Sequence, residues 1–142
     1  MIKGIDYIGV SIVFFCHDGK GNILMQKRGQ NTRDEKGRWD IGAGSIEFGH
    51  SIEHTLKKEI LEEYGTDVLA YEFLGNREVL RHMEGQDTHW ITFDYKVLVN
   101  RELAKNAEPH KLDEVGWFTL GTLPAPTHSQ LSLFLEKYKD KL

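Results

Sequence analysis

Glu59, Glu62 and Glu63 stand at i, i+3 and i+4, a spacing that gathers three carboxylates on one side of a helix. Like charges about 6 Å apart repel by roughly 3 kcal/mol per pair at an effective dielectric near 20. A fold gains nothing from that crowding. A hard divalent cation does, because it takes several oxygen ligands at once. The candidate chemistry is therefore metal binding by carboxylates, with Mg²⁺ or Mn²⁺ as the ions.

A helix must present these groups, and its signals flank them. Ser51 suits the N-cap, Glu53 places a negative charge in the first turn, and Gly65 suits the position just past the end near Tyr64. On such a helix Ile52, Leu56 and Ile60 form an apolar stripe. Glu63 projects into the middle of that stripe, Glu59 lies at its edge, and Glu62 lies farther round. The competing reading is a solvated face, with Glu53–Lys57 and Lys58–Glu62 as i, i+4 ion pairs. Both lysines are expected toward the other side of the helix. Two carboxylates then point at the packed side, where an uncompensated charge is expensive.

The remaining elements follow from patterning. Residues 7–16 are rich in Ile, Val and Phe and read as a buried strand, and residues 23–28 return as a second. Residues 29–38 are polar and read as a loop. A short strand over 39–42 leads into the glycine-rich loop around Ala43 and Gly44. Residues 68–82 read as a long strand or a bent strand pair, and 89–99 as another strand, about a turn at Gly85-Gln86-Asp87. Residues 101–113 are irregular, 114–120 form a short strand, and 129–138 form a closing amphipathic helix. Strands on both sides of a central helix give an α/β fold, a mixed sheet covered by helices.

Composition bounds the partners. A length of 142 residues suits one domain, 1–142, around one core. A net charge of −4 argues against non-specific nucleic-acid binding, which needs a basic surface. Nucleotides stay open as ligands, since bound metal neutralises their phosphates. Cys16 is the sole cysteine, so no internal disulfide forms. The apolar run at 8–16 is too short to span a bilayer and no secretory pattern precedes it, so the expected setting is cytoplasmic, with no membrane partner.

Residues 44–66 resemble the Nudix box of pyrophosphohydrolases. Gly44, Glu59, Ile60, Glu62, Glu63 and Gly65 occupy the family positions at the family spacing. The likeness continues through the strand ending in Arg28, the Gly37-Arg38-Trp39 lead-in, and Glu114 to Phe118 followed by Leu123-Pro124. The departures are specific. His50 stands where the family has Glu, Lys58 where it has Arg, Thr66 where it has an aliphatic residue, and Ala43 where it has Gly. Neutral imidazole is a poor ligand for Mg²⁺ and suits Mn²⁺ or Zn²⁺ better. Lysine keeps the charge of arginine and loses its planar fork.

This resemblance implies a Nudix-type α/β/α sandwich with a mixed β-sheet. It implies metal-dependent attack of water on a pyrophosphate bond in a nucleoside diphosphate linked to another group. A nucleoside triphosphate is the first expectation and a nucleotide sugar the next. Glu59, Glu62, Glu63 and the main-chain carbonyl of Ala43 would hold the metal. One of the glutamates or His50 would act as base. Arg28, Gly44 and Trp90 would contact substrate, Trp90 by stacking on a base; a structural ion pair is the alternative for Arg28 and a core position the alternative for Trp90. Glu47 belongs to the box loop and is expected to shape it. A homodimer is compatible with the family. The alternative is a catalytically impaired domain that binds nucleotide without cutting it, motivated by His50 and Lys58.

Overall fold

The computed structural model describes residues 1–142. Strands β1 (Gly9–His17), β2 (Ile23–Arg28), β3 (Trp39–Asp40), β4 (Gly42–Ser45), β5 (Val68–Met83), β6 (Gln86–Val99) and β7 (Leu112–Phe118) are joined by helices α1 (Ile52–Tyr64) and α2 (Leu131–Tyr138). The main path of the sheet runs β3-β2-β1-β6-β5, with β4 added to β1 and β7 to β2. Strands β1 and β6 are parallel, whereas the other pairs are antiparallel, so the sheet is mixed as expected.

Period-two alternation along β1 builds both cores. Ile12, Phe14 and Cys16 face α1, where Leu56, Ile60 and Tyr64 pack on them. Phe15 faces the other way, into a second core with Met25, Trp39, Leu131, Phe134 and Tyr138. One helix on each face completes the α/β/α sandwich, and neither is long and apolar enough to cross a membrane.

Three expected boundaries differ for physical reasons. The glycine-rich segment is not a loop: Gly42–Ser45 pairs with Phe14–Ser11 as strand β4. Glycines let it lie flat there, since a Cβ on Gly42 would strike the Phe14 ring. The β5–β6 turn falls at Glu84-Gly85, both with positive φ, so Gln86 and Asp87 already belong to β6. Strand β7 begins at Leu112, within the stretch expected to be irregular, because its bonding comes from distant β2 rather than from local pattern.

Helix α1 is capped as its sequence suggests. Ser51 Oγ accepts from the His54 N–H at 3.1 Å, and Gly65 adopts the left-handed conformation with φ 66°. Its last turn carries no basic residue. The 105–107 backbone serves there instead: the N–H groups of Lys105 and Ala107 donate to the carbonyls of Tyr64 and Glu63 at 2.9 and 3.1 Å.

A buried polar cluster fixes α2 to the sheet. Asp94 is fully buried on β6 and accepts from Arg77 at 2.7 and 3.1 Å, from Thr92 Oγ1 at 2.9 Å and from Tyr138 Oη at 2.6 Å. Beside it, Lys141 Nζ donates to Leu74 O at 3.3 Å and Lys137 Nζ donates to Asn76 O, on the outer edge of β5. Tyr138→Phe removes one donor from a buried carboxylate and should cost about 1–3 kcal/mol. Urea unfolding should show a lower midpoint at an unchanged m-value.

Candidate active site

The helix-borne carboxylates differ in exposure as their angular positions dictate. Glu63 is 6% exposed, Glu59 is 19% exposed at its side chain and Glu62 is 46% exposed. Glu63 Oε2 is buried with no hydrogen-bond partner. Burial pushes the Glu63 carboxyl well above the usual carboxylate range, and the charges of Glu59 and Glu108 add to the shift. Glu59 is also raised, first by burial and then by Glu62, with Lys58 opposing.

Lys58 does not lie on the far side of the helix as expected. Its Nζ stands 3.6 Å from Glu59 Oε1 and 3.4 Å from Glu62 Oε1. A long, flexible stem lets the ammonium reach back over its own helix face. It relieves the Glu59–Glu62 pair at the rim, whereas the rise at Glu63 is opposed only by the Gln26 side chain and the charge of Lys111, which do not outweigh its burial.

Glu108 is the carboxylate that sequence reasoning missed. It sits 18% exposed in the loop before β7, and its charge acts on both Glu59 and Glu63. No local periodicity marks it. Its position follows from Lys105 and Ala107 capping α1, which brings the next residue against the helix. The missing basic residue in the last turn of α1 was the available signal.

No three His, Cys, Asp or Glu side chains converge as a ready-made metal cage. The fit for a divalent cation rests on the bare Oε2 of Glu63 and on the neighbouring carboxylates of Glu59 and Glu108. Strand β4 presses close at this point. A Cβ on Gly44 would lie 2.6 Å from Glu59 Cδ and 2.9 Å from its Oε2, so only glycine lets backbone and carboxylate approach. Ala43 is exposed beside it, in register with Val13.

A cavity of about 330 Å³ opens on the opposite sheet face. Alternation and register set its floor. Ser45, Ser11, Thr92 and Arg77 stand in one row across β4, β1, β6 and β5, and Trp90 pairs with Val79 further along. Gly44 and Ala43 belong to its lining, so β4 is shared by the cavity and the carboxylates. The two halves meet around the edge of one short strand.

Charged groups crowd the cavity wall. Arg28 spends its guanidinium on Asp34, donating to the main-chain oxygen and to Oδ1, each at 2.8 Å. Glu35 is almost fully buried and accepts from Arg81 at 2.6 Å, from the Ser129 N–H at 2.7 Å and from its Oγ at 2.9 Å. His128 Nδ1 accepts from the Gln130 N–H at 3.1 Å, so Nε2 carries the proton and donates to Glu35 at 2.8 Å. Burial holds His128 below its usual value, at about 4. Burial pushes Asp40 up to about 7, against the pull of Arg28 and the Ile41 N–H.

The other expected residues take these places. Trp90 is half-buried and lines the cavity. His50 is exposed, its ring 4.8 Å from that of His54, away from the buried Glu63. Glu47 is held by Lys3 Nζ at 2.7 Å, which also donates to Ser45 Oγ at 3.0 Å, so its carboxylate braces the loop.

A model of the NUDIX domain matches residues 7–138. This chain belongs to the Nudix family. It is 27% identical over 125 residues to an oxidized purine nucleoside triphosphate hydrolase from Danio rerio, covering 81% of this chain and 68% of that protein. It is 29% identical over 97 residues to a nucleoside triphosphatase, NudI, from Salmonella arizonae, covering 62% of this chain and 68% of that protein. A MutT NUDIX hydrolase from Burkholderia pseudomallei has the same fold, with a TM-score of 0.81 at 24% identity, over 93% of this chain and 98% of that one. The Nudix sandwich expected from the box is thus the fold found. The enzyme class is that of the Nudix pyrophosphohydrolases, which act on small nucleotide substrates and generally use divalent metal ions.

Metal-free Nudix protein should carry the cost of Glu63. Folding raises this carboxyl above its ordinary 4.5, so the folded state binds the proton more tightly than the unfolded chain. Stability then falls as pH rises above 4.5 through the folded value. Glu63→Gln should be more stable than wild type at pH 8 by about 1–3 kcal/mol, and the gap should shrink toward pH 4. Thermal unfolding in chelator at the two pH values reads both effects.

Proposed function

We propose that residues 1–142 act as one domain that hydrolyses a pyrophosphate bond in a nucleoside diphosphate linked to another group, a nucleoside triphosphate before a nucleotide sugar. The observation that carries this is Glu63 Oε2, buried and unpartnered beside two more carboxylates. The names of the Danio and Salmonella relatives favour the triphosphate. Glu59, Glu62, Glu63 and the carbonyl of Ala43 would hold Mg²⁺ or Mn²⁺. When bound, such an ion neutralises the diphosphate and lowers the pKa of attacking water.

The protein's own groups do the rest. The substrate lies over the β4 edge, its phosphates toward the carboxylates and its nucleoside in the cavity. Water oxygen forms a bond to one phosphorus, the anhydride P–O bond to the leaving phosphate breaks, and a carboxylate takes the water proton. Glu108 suits that last role, since it sits at the cluster on a loop rather than on α1, with Lys111 Nζ 3.8 Å from its carboxylate. Ser11, Ser45 and Thr92 give the cavity floor neutral hydrogen-bonding groups. Trp90 offers a ring for a base.

A second reading, a nucleotide-binding domain with impaired catalysis, draws on His50 and Lys58. His50 is exposed beside His54, and Lys58 already engages Glu59 and Glu62. One experiment separates the two. Nucleoside triphosphates and nucleotide sugars are incubated with Mg²⁺ or Mn²⁺ and phosphate release is followed, with Glu63→Gln as control. Turnover at least 100-fold above that control is expected on one member or more. No turnover on any member would overturn the hydrolase, and its recovery in His50→Glu/Lys58→Arg would establish the impaired domain.

A further inference from the structure

Four arginines line the cavity, and their charges are not equally available. Arg28 pairs with Asp34, Arg77 with Asp94, and Arg81 with Asp34 and Glu35. Arg33 has no carboxylate partner and makes no side-chain hydrogen bond. Its guanidinium lies over the Trp90 ring, with Cζ 5.5 Å from the centroid. That is cation–π range.

The surroundings hold the ring and leave the arginine free. A Cβ on Gly9 would lie 2.6 Å from Trp90 Cζ3, and one on Gly4 would lie 2.9 Å from Cζ2, so two bare backbones back the indole. Arg33 sits in the 29–38 loop with an exposed side chain. The loop itself is pinned just after Arg33, by Arg28 on Asp34 and by the donors on Glu35. A fixed ring thus faces a movable cation.

The spacing suits an intervening plane. Ring, base and guanidinium stacked at contact need roughly 7 Å between the outer layers, two contacts of about 3.5 Å. The observed 5.5 Å is one layer plus slack, and a rise of the exposed arginine opens the second. Trp90 pairs with Gly9 and Ala43 with Val13, four residues apart on β1, which is about 13 Å along the strands. The ring is therefore remote from the carboxylates and placed for the far end of a substrate.

We propose that Arg33 is a specificity-determining residue that closes over a planar base seated on Trp90. The substrate class this selects is base-bearing, purine nucleotides before pyrimidine ones, and against base-free diphosphates. This rests on the proposed nucleotide hydrolase and adds a recognition element to its cavity. The exposed Arg33 makes no contact on which folding depends, so Arg33→Ala and Arg33→Lys should both fold.

Calorimetry with a purine nucleoside monophosphate and with ribose 5-phosphate, each with Mg²⁺, tests it. Wild type should bind the nucleotide at least 10-fold more tightly. Arg33→Ala should weaken nucleotide binding about 5- to 20-fold, within the usual range for loss of a base stack, and leave ribose 5-phosphate unchanged. Arg33→Lys keeps the charge without the plane and should not restore binding. Equal losses for both ligands, or rescue by lysine, would make Arg33 a phosphate contact and overturn the clamp. Equal wild-type affinities for the two ligands would also overturn it. Binding needs no turnover, so an inactive protein with this pattern refutes the hydrolase and keeps the clamp.

Discussion

A buried carboxylate with one oxygen left unpartnered is the constraint on which the site depends. Glu63 lies on the packed side of α1 with Leu56 and Ile60, and its main-chain carbonyl accepts from the Ala107 N–H. Such a group is tolerated only if something else gains from it. Its neighbours add to the cost: Glu59 leans on Gly44, and Glu108 arrives on the loop that caps the helix. Each placement also serves folding, as an apolar stripe, a close-packed strand or a helix cap. The negative nest is thus a by-product of ordinary packing decisions that all point inward.

Strand β4 is where fold and chemistry are joined. It is only four residues long, and it adds to β1 outside the main strand path. One side of it touches the carboxylate helix and the other borders the cavity. A substrate that reaches both must cross this strand, and a backbone with small side chains is the surface it meets. On the proposed reading, the sheet separates recognition from bond cleavage while keeping them one strand apart.

Much of this was legible in the sequence, for reasons that are local. The 3.6-residue period placed Glu63 inward and Glu62 outward, and Ser51 and Gly65 marked the helix ends. Apolar and aromatic runs bounded by turn residues marked β1, β2, β5 and β6. What escaped depended on distant partners. Gly42–Ser45 reads as a loop until β1 is beside it, and Leu112 enters a strand because β2 supplies its bonds. Glu108 needed the capping loop to be known. Lys58 was misplaced because Cα geometry does not fix the end of a four-carbon stem. The cavity wall was least legible, since Glu35, Arg81 and His128 come from three separate segments and meet only in the fold.

The lysines at the end of the chain have a wider consequence. Strand β5 forms the margin of the sheet, and a long margin strand is a template on which another chain can add. Lys141 and Lys137 place ammonium groups on the Leu74 and Asn76 carbonyls, in the middle of that margin. Two acceptors that a foreign strand would need are thereby already taken, and each approach would also meet a charge. Helix α2 and the residues just after it thus guard the sheet margin as well as cover the core, and such a guard would oppose fibre-like growth where the sheet would otherwise invite it.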